Sequence, residues 1–458
     1  MPWIDIAAIV LMLATLVVGI ATRRRRAVPV VIVGSTALVA LLLAFVLEGA
    51  RPQLLAAAIA AIAVAAVVLW TRSGRTPKLA VTGVVVLAFG LVGIAASAWA
   101  LPPVFLPAPT GQNAVGVASH VWTDPTRDAR GGSTAGQERS LPVTVWYPAA
   151  ETGPQSSYLP NAAAASALTT ALAKQYGAPP LLFDSLLRAK SNASWQSAPV
   201  QSSPAQSPAA QGTRPVVIAS PGFASTRWFF TSWAEELASH GIIVIAVDHP
   251  YDAAATEPAD GSIALDEAHT TGNDAQDQAA ADRAVEIRAA DVRAVIDHLA
   301  SAPPTPDLTD ADLTRIVAAG HSAGGATAIE AARLDPRIVG VVDIDGMPRS
   351  PAGTRLTQPL VVVVAGDMDP NPAYNAAVSD LLADENGASV TLDGVAHLGM
   401  MDVGRLIAPV PGVTGANGPD GARLAARATL ALVTAAGTGE PVDVGALGQL
   451  GSVAPATR

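Results

Sequence analysis

Residues 317–346 read VAAGHSAGGATAIEAARLDPRIVGVVDIDG, and the pentapeptide GHSAG at 320–324 places Ser322 between two glycines. A β-branched run precedes this pentapeptide and a helix-like segment follows it, so the pattern G-x-S-x-G lies at a strand–turn–helix junction. Flanking glycines in that context allow a sharp turn that lifts a serine hydroxyl above the end of a sheet. We therefore predict that Ser322 is a nucleophile.

Short apolar runs and helix-like segments alternate on both sides of this stretch. Strands are predicted at 141–148, 214–220, 242–248, 314–320, 338–345, 359–367 and 388–394. The clearest later helices are predicted at about 282–301 and 421–437, whereas the acidic segment 252–281 is expected to be irregular and the Ser/Ala/Pro/Gln-rich segment 155–213 to hold one helix. Continuous apolar strands separated by helices are typical of a mostly parallel sheet with helices on both faces.

A serine hydroxyl is a weak nucleophile and needs a neighbouring base, which in turn needs a carboxylate to fix its tautomer. His397 follows the last of these strands and is the only histidine after Ser322, so it is the predicted base. The aspartates that end the two preceding strands all keep the chain order Ser–Asp–His, and they are Asp343, Asp345, Asp367 and Asp369. Asp345 lies nearer than Asp343 to the carboxyl end of its strand, where the active sites of parallel sheets lie. Asp369 would instead suit a common arrangement of hydrolase active sites. The residues alone leave this choice open.

Other residues near these strands are expected to have structural roles. His321, inside the pentapeptide, is expected to point away from Ser322, and His249 is expected to brace the sheet edge. The aromatic segment STRWFFTSW at 225–233 is expected to pack on the sheet rather than to line an acyl pocket.

The first hundred residues have a different character. They contain four apolar runs, each close to the roughly 20 residues that a helix needs to cross the hydrocarbon core of a membrane, and these runs are 3–21, 28–47, 54–71 and 79–101. Four arginines at 23–26 follow the first run, and Arg72, Arg75 and Lys78 follow the third. Because basic loops stay cytoplasmic, the chain from about residue 105 onward is predicted to be extracytoplasmic, at a cell membrane.

These boundaries predict a four-helix transmembrane domain at 1–101, a Pro-rich linker at 102–113, a catalytic domain at 114–440 and a tail at 441–458. The formal net charge of −10 makes a nucleic-acid partner improbable, because a basic face is missing. The chain has no cysteine, which excludes a thiol nucleophile and a Cys-zinc site. HExxH, P-loop and dinucleotide-binding patterns are absent, so neither a metal nor an organic cofactor is predicted.

The motifs RPVVIASPGF, EELASHGIIVIAVDHPYDAAAT, GHSAGGAT, VDIDG, QPLVVVV and LDGVAH follow one another between residues 214 and 397. In this order they resemble the platelet-activating factor acetylhydrolase family of α/β-hydrolases, in its plasma-type and bacterial members. The resemblance extends over about 140–405 and leaves the four predicted membrane helices outside it. It implies an α/β-hydrolase fold and a serine esterase that hydrolyses a lipid or other small ester. The four predicted helices would anchor this esterase in the membrane.

The resemblance also implies roles for particular residues. In that family the acid follows the strand directly after the elbow helix, roughly two dozen residues past the serine, which is the position of Asp345. Ser322, His397 and Asp345 are then the implied catalytic residues. The implied oxyanion donors are the backbone amides of Phe223 and Ala323.

Two alternatives to this interpretation remain. Asp369 as the acid would indicate a general carboxylesterase, or a polyester- or dienelactone-type hydrolase. A protein of another class, a membrane-tethered binding protein that keeps the fold without the activity, would not need the serine, histidine and aspartate together. One departure from the family is Pro221, which stands where a histidine is common in a His-Gly turn.

Overall fold

The structure is a computed structural model. It describes residues 3–21, 28–48, 51–72, 77–101, 104–132, 136–177, 180–200, 214–268, 270–349, 355–368, 371–382, 387–407 and 409–455. Contacts between residues divide the chain into two compact units, one built around the four N-terminal helices and one that contains most of the chain from Phe105 onward.

The N-terminal unit consists of long apolar helices, and they are α1 (Trp3–Ala21), α2 (Val28–Glu48), α3 (Pro52–Arg72) and α4 (Pro77–Ala100). Within the described residues, these four helices are long and apolar enough to cross a membrane. Side chains such as Ile9, Leu41 and Leu54 are buried between the helices. Arg51 and Asp5 form a buried ion pair that ties the start of α3 to α1. The four predicted apolar runs are therefore helical.

The second unit is organised around one sheet. Its strands are β1 (Ala114–Asp128), β2 (Glu138–Ala149), β3 (Gln155–Ser157), β4 (Lys190–Trp195), β5 (Arg214–Ser220), β6 (Ile243–Val247), β9 (Ala311–His321), β10 (Ile338–Ile344), β11 (Leu360–Ala365), β12 (Gly387–Leu392) and β13 (Ser452–Pro455). A separate hairpin pairs β7 (Ala255–Thr256) with β8 (Ala264–Leu265). Among the described residues, the eleven strands of the large sheet lie in the order β13-β12-β11-β10-β9-β5-β6-β2-β1-β4-β3.

The centre of the sheet is parallel. Strands β6, β5, β9, β10, β11 and β12 pair in parallel, while β2 and β13 join them antiparallel at the two sides. The central strands are buried on both faces, with side chains such as Ile218, Ile316 and Val362 at 1% exposure or less. Burial of each such aliphatic side chain contributes about 1.5–3 kcal/mol. Continuous β-branched runs therefore form the middle of the sheet, as their composition predicts.

Helices cover both faces of the sheet. The helices described after residue 105 are α5 (Ala162–Gln175), α6 (Asp184–Arg188), α7 (Thr231–Ser239), α8 (Asp274–Ser301), α9 (Ala323–Leu334), α10 (Pro372–Leu381), α11 (Val403–Leu406), α12 (Gly418–Thr438) and α13 (Val444–Gly448). The apolar sides of α8 and α9 pack together on one face, and α7 packs with α12 on the other. The architecture is an α/β-hydrolase fold, with single-turn 3₁₀ helices at Pro180–Phe183, Arg227–Phe230, Pro306–Leu308 and His397–Met400.

The structure departs from the sequence-based expectations in three places. Helix α8 begins at Asp274, inside the segment expected to be irregular, because the Asn273 side chain caps it by accepting a hydrogen bond from the Gln276 amide at 3.1 Å. Residues expected to form a tail include α13 and β13, and β13 pairs with β12 at the sheet edge. Strands β3 and β4 lie in the segment for which a helix alone was expected.

Candidate active site

Ser322 occupies the turn between β9 and α9. Its backbone has φ 57° and ψ −124°, a conformation that non-glycine residues adopt only at a cost. The turn is tight: a Cβ atom on Gly320 would lie 2.1 Å from Gly324, and one on Gly324 would lie 1.8 Å from the Ser220 carbonyl oxygen. The Ser322 amide donates to the Ile344 carbonyl oxygen at 2.9 Å. Both flanking glycines are therefore required for this turn, which holds the strained serine at the carboxyl end of the parallel strands.

His397 and Asp345 are hydrogen-bonded at the same end of the sheet. The Nδ1 atom of His397 lies 2.6 Å from Oδ2 of Asp345, and the other carboxylate oxygen, Oδ1, accepts from the Ala365 amide at 2.9 Å. Asp345 directly follows β10 and has φ 55°, so the chain turns sharply where the carboxylate leaves the strand. Because a carboxylate can only accept, Nδ1 of His397 carries the proton and Nε2 is left as an acceptor. This is the tautomer that a general base needs.

Asp345 is ionised in this arrangement. Burial raises its pKa, but the hydrogen bond and charge of His397, together with the Ala365 amide, outweigh burial and bring the pKa below its ordinary value. The side chain of Asp345 is 10% exposed, whereas that of His397 is 29% exposed. The carboxylate is therefore shielded from solvent while the imidazole reaches it. The negative charge of Asp345 can stabilise the imidazolium that forms when His397 takes up a proton.

His321 lies against His397, a contact that no local sequence pattern predicts. The two rings are tilted with their centroids 4.5 Å apart, and Nε2 of His321 donates to the backbone oxygen of His397 at 2.9 Å. Burial and the neighbouring His397 both lower the pKa of His321, so its ring is neutral near pH 7. The expectation that His321 merely points away is therefore incomplete, because it supports the backbone of His397. The described residues include no hydrogen bond between the Ser322 hydroxyl and His397.

The turn after β5 lies over Ser322. Strands β5 and β9 pair so that Ser220 is opposite Gly320, and a methyl group on Gly222 would lie 3.2 Å from Cβ of Ser322. Within the described residues, the amide of Phe223 donates no hydrogen bond. The amide of Ala323, as the first of helix α9, has no intrahelical acceptor. Two unoccupied donors thus flank the serine, and an N–H pair of this kind can stabilise an oxyanion.

The remaining candidate acids do not contact His397 in the described residues. Asp343 is fully buried, Oδ1 accepts from the Gly346 amide at 2.7 Å, and burial raises its pKa well above the ordinary value. Asp367 accepts from the Gly412 amide at 3.3 Å. Asp369, the alternative acid, lies outside the described residues. Of the described aspartates, Asp345 is therefore the one joined to the histidine.

Two further sequence-based expectations concern the surroundings of the site. The aromatic segment packs in the interior, where Phe229, Phe230 and Trp233 are 6%, 1% and 0% exposed. His249 is fully buried rather than at an edge: its Nε2 lies 2.8 Å from the Ser220 hydroxyl, and its Nδ1 lies 2.8 Å from Asp291. Sequence patterns gave no signal for this contact, because Asp291 belongs to helix α8. Among the described residues, no group of three or more His, Asp or Glu side chains is placed to bind a metal ion.

Comparisons with known proteins agree with this fold. The family model described as platelet-activating factor acetylhydrolase, isoform II, matches residues 101–297, and the model of the alpha/beta hydrolase family matches residues 216–452. Among solved structures, a ferulic acid esterase from Streptomyces cinnamoneus is similar, with a TM-score of 0.58 and 26% sequence identity over 73% of this chain and 94% of that chain. None of the curated proteins matches the sequence.

Proposed function

Because the chain belongs to the α/β-hydrolase family and its fold is that of an esterase relative, we propose that it is a serine esterase in which Ser322, His397 and Asp345 form the catalytic triad. The observation that carries the proposal is the hydrogen bond of 2.6 Å between His397 and Asp345 at the end of the sheet where Ser322 occupies its strained turn. Structural constraint of this kind, at a partly exposed serine, is typical of a nucleophile.

The proposed reaction is acyl transfer to water. Nε2 of His397 takes the proton of the Ser322 hydroxyl while Oγ attacks the ester carbonyl, and Asp345 stabilises the imidazolium that forms. His397 then returns the proton to the leaving alkoxide, and an acyl-enzyme remains. Water, deprotonated by the same imidazole, attacks the acyl carbon and releases the acid and free Ser322.

The proposed oxyanion site consists of the amides of Phe223 and Ala323. Both amides belong to turns at the carboxyl ends of the neighbouring parallel strands β5 and β9, so they approach the serine from adjacent positions. Their hydrogen bonds strengthen as negative charge develops on the carbonyl oxygen, and such donors are each worth about 10²–10³ in kcat. Pro221, the departure from the family pattern, leaves both amides in place.

The substrate is proposed to be an ester with an apolar acyl or lipid part, by similarity to the acetylhydrolase family. Loops that follow β10, β11 and His397 expose the apolar side chains of Met347, Met368, Val410 and Val413, which are 37–49% exposed. Two of these loops are tied together, because the Gly412 amide donates to Asp367. The ferulic acid esterase relative favours a second candidate, a general carboxylesterase that accepts aromatic acyl groups.

The four apolar helices are proposed to anchor the enzyme in the cell membrane. Their mean hydropathy is between 2.1 and 2.8 over each span. Basic residues follow the first and third apolar runs of the sequence, which favours a cytoplasmic position for both loops. The catalytic unit would then be extracytoplasmic.

An ester chain-length series on the detergent-solubilised full chain tests the function. Labelling with a fluorophosphonate probe comes first, with Ser322→Ala as the matched control. We expect the wild-type chain to be labelled and to hydrolyse p-nitrophenyl esters. The acetylhydrolase-like candidate predicts the highest kcat/KM for acetyl to butyryl esters, and the second candidate predicts a preference for methyl ferulate. An unlabelled, inactive wild-type chain would instead favour a binding protein.

A further inference from the structure

We propose that Arg288 is a positioning residue that aims the Phe223 amide at the reacting carbonyl oxygen. This inference rests on the proposed esterase function and on the oxyanion site described above. Arg288 belongs to helix α8, far along the chain from the turn after β5, and it does not touch the substrate. Its effect would act through the backbone of that turn.

The guanidinium of Arg288 holds two successive carbonyl oxygens of the turn. Nη1 donates to the oxygen of Pro221 at 2.6 Å, and Nη2 donates to the oxygen of Gly222 at 3.1 Å. The side chain of Arg288 is 1% exposed. Backbone carbonyls are strong acceptors, and hydrogen bonds from an ionised donor are stronger than neutral ones. A buried cation that pairs with two adjacent peptide groups therefore restricts their orientation.

The orientation of one peptide group fixes the proposed donor. The carbonyl of Gly222 and the N–H of Phe223 belong to the same planar trans peptide group, so they point in opposite directions. When Arg288 holds the Gly222 oxygen towards α8, the Phe223 N–H must point away from α8. Ser322 lies close to this peptide group, since a methyl group on Gly222 would be 3.2 Å from its Cβ, and the proposed role of Arg288 is to turn the Phe223 N–H towards it. Rotation of this peptide group would remove the donor from the site.

Arg288 is itself held in place. Its Nε donates to Oδ2 of Asp252 at 2.7 Å, its Nη2 bonds the other carboxylate oxygen, and its guanidinium lies 4.8 Å from the centroid of the Phe223 ring. The backbone oxygen of Asp252 also accepts from the Ala224 amide at 3.0 Å. Asp252 therefore fixes both the arginine and the residue that follows Phe223.

A second contact from α8 fixes the start of the turn. The Ser220 hydroxyl donates to Nε2 of His249 at 2.8 Å, and Nδ1 of His249 donates to Asp291 at 2.8 Å. These three side chains repeat the atom order of a catalytic triad, but each is at most 1% exposed, so substrate does not reach them. Arg288 and Asp291 lie one turn apart on α8. The helix thus holds both the first residue of the turn and its carbonyl groups.

The test compares Arg288→Met with Arg214→Met in the detergent-solubilised full chain. Arg214 is a largely buried arginine at the amino end of β5, where it pairs with Asp310 at 3.7 Å and donates to the Gly241 oxygen at 3.4 Å. Its contacts therefore lie at the opposite end of the strand from the turn. Active sites are titrated to completion with a p-nitrophenyl alkylphosphonate, so that kcat is expressed per competent site. The carbonyl stretching frequency of a ¹³C-labelled acyl-enzyme then reports the hydrogen bonds at the oxyanion site.

We expect Arg288→Met to lower kcat per titrated site by about 10- to 100-fold, somewhat less than deletion of an oxyanion donor, with KM little changed. Its acyl-enzyme carbonyl frequency should rise. Arg288→Lys, which can still donate to one of the two carbonyls, should recover part of kcat. Arg214→Met should lower thermal stability but leave the frequency unchanged and kcat per site within about threefold, since it removes no transition-state contact.

Equal effects of Arg288→Met and Arg214→Met on kcat per site, with an unchanged carbonyl frequency, would overturn the inference while leaving the esterase proposal intact. A wild-type chain that is neither titrated nor active would overturn both. If Arg288→Met does not fold, Asp252→Asn takes its place, because it loosens the arginine without removing it. An unchanged carbonyl frequency and kcat in Asp252→Asn would also contradict the proposed role.

Discussion

Replacement of Asp345 by asparagine should inactivate the enzyme without disturbing its shape. In the wild-type chain, Oδ1 of Asp345 accepts from the Ala365 amide at 2.9 Å and Oδ2 faces Nδ1 of His397 at 2.6 Å. The Ala365 N–H requires an acceptor, so the asparagine oxygen should take that position and its NH₂ group should face His397. Nδ1 must then accept, and the ring proton moves to Nε2. An imidazole in this tautomer has no lone pair for the Ser322 proton.

The expected loss is about 10⁴ in kcat, as for removal of the tautomer-setting carboxylate in serine hydrolases. This corresponds to about 5 kcal/mol of transition-state stabilisation. Asparagine has the same size as aspartate and keeps the Ala365 hydrogen bond, so the thermal unfolding midpoint should change little. The assay is kcat for p-nitrophenyl acetate hydrolysis by the solubilised chain, with circular dichroism as the test of folding.

The matched control is Asp369→Asn. Asp369 is the alternative acid, and its replacement should change kcat by less than about threefold if it makes no transition-state contact. A folded Asp345→Asn enzyme that retains a tenth or more of wild-type activity, together with a collapse of activity in Asp369→Asn, would refute the assignment. The protein would then belong on the carboxylesterase or dienelactone-type side of the superfamily.

Three further predictions follow from the site and the sequence. Ser322→Ala should abolish ester turnover and phosphonate labelling with little change in the thermal midpoint, because the hydroxyl makes few packing contacts; retained turnover would move the nucleophile elsewhere. A reporter fused after residue 105 should behave as exported and one fused within 72–78 as cytoplasmic, and the reverse would overturn the proposed orientation. Burial raises the pKa of Asp402 to about 7, so the folded chain keeps a proton that the unfolded chain loses near pH 4. The contribution of this carboxyl to the free energy of unfolding should therefore fall as pH rises from about 4 to 7, by about 4 kcal/mol at most. Thermal unfolding of Asp402→Asn should show a flatter pH dependence, and an unaltered slope would contradict this contribution.

The sequence alone was sufficient for the features that depend on local pattern. A continuous β-branched run is suited to a central strand, because both faces of such a strand are removed from water. Strands β5, β6 and β9 to β12 occur where the sequence has such runs. The turn at Ser322 was predictable from the G-x-S-x-G pattern between a β-branched run and a helix-like segment. The structure shows why glycines flank the serine, since a side chain on either one would collide with backbone. The four long apolar helices were also predictable from the sequence, because their length and apolar composition are enough to identify them.

The tertiary structure decided which distant side chains meet. Four aspartates satisfied the same chain order, and a resemblance rather than the residues favoured Asp345. In the structure, a positive φ at Asp345 turns its carboxylate towards His397, whereas Asp343, two residues earlier, is enclosed beneath it. Strand direction and backbone dihedrals determine which aspartate reaches His397, and neither can be derived from residue composition.

The contacts of helix α8 had no local signal at all. Arg288 and Asp291 look like ordinary charged residues of a polar helix, and they become buried only because α8 packs beside the turn after β5. Likewise, β13 became a strand because the edge of β12 offered unpaired backbone groups, which a short segment of modest β propensity could satisfy. Local sequence determines which elements form, but the pairing of groups separated by long stretches of chain depends on the closure of the whole sheet.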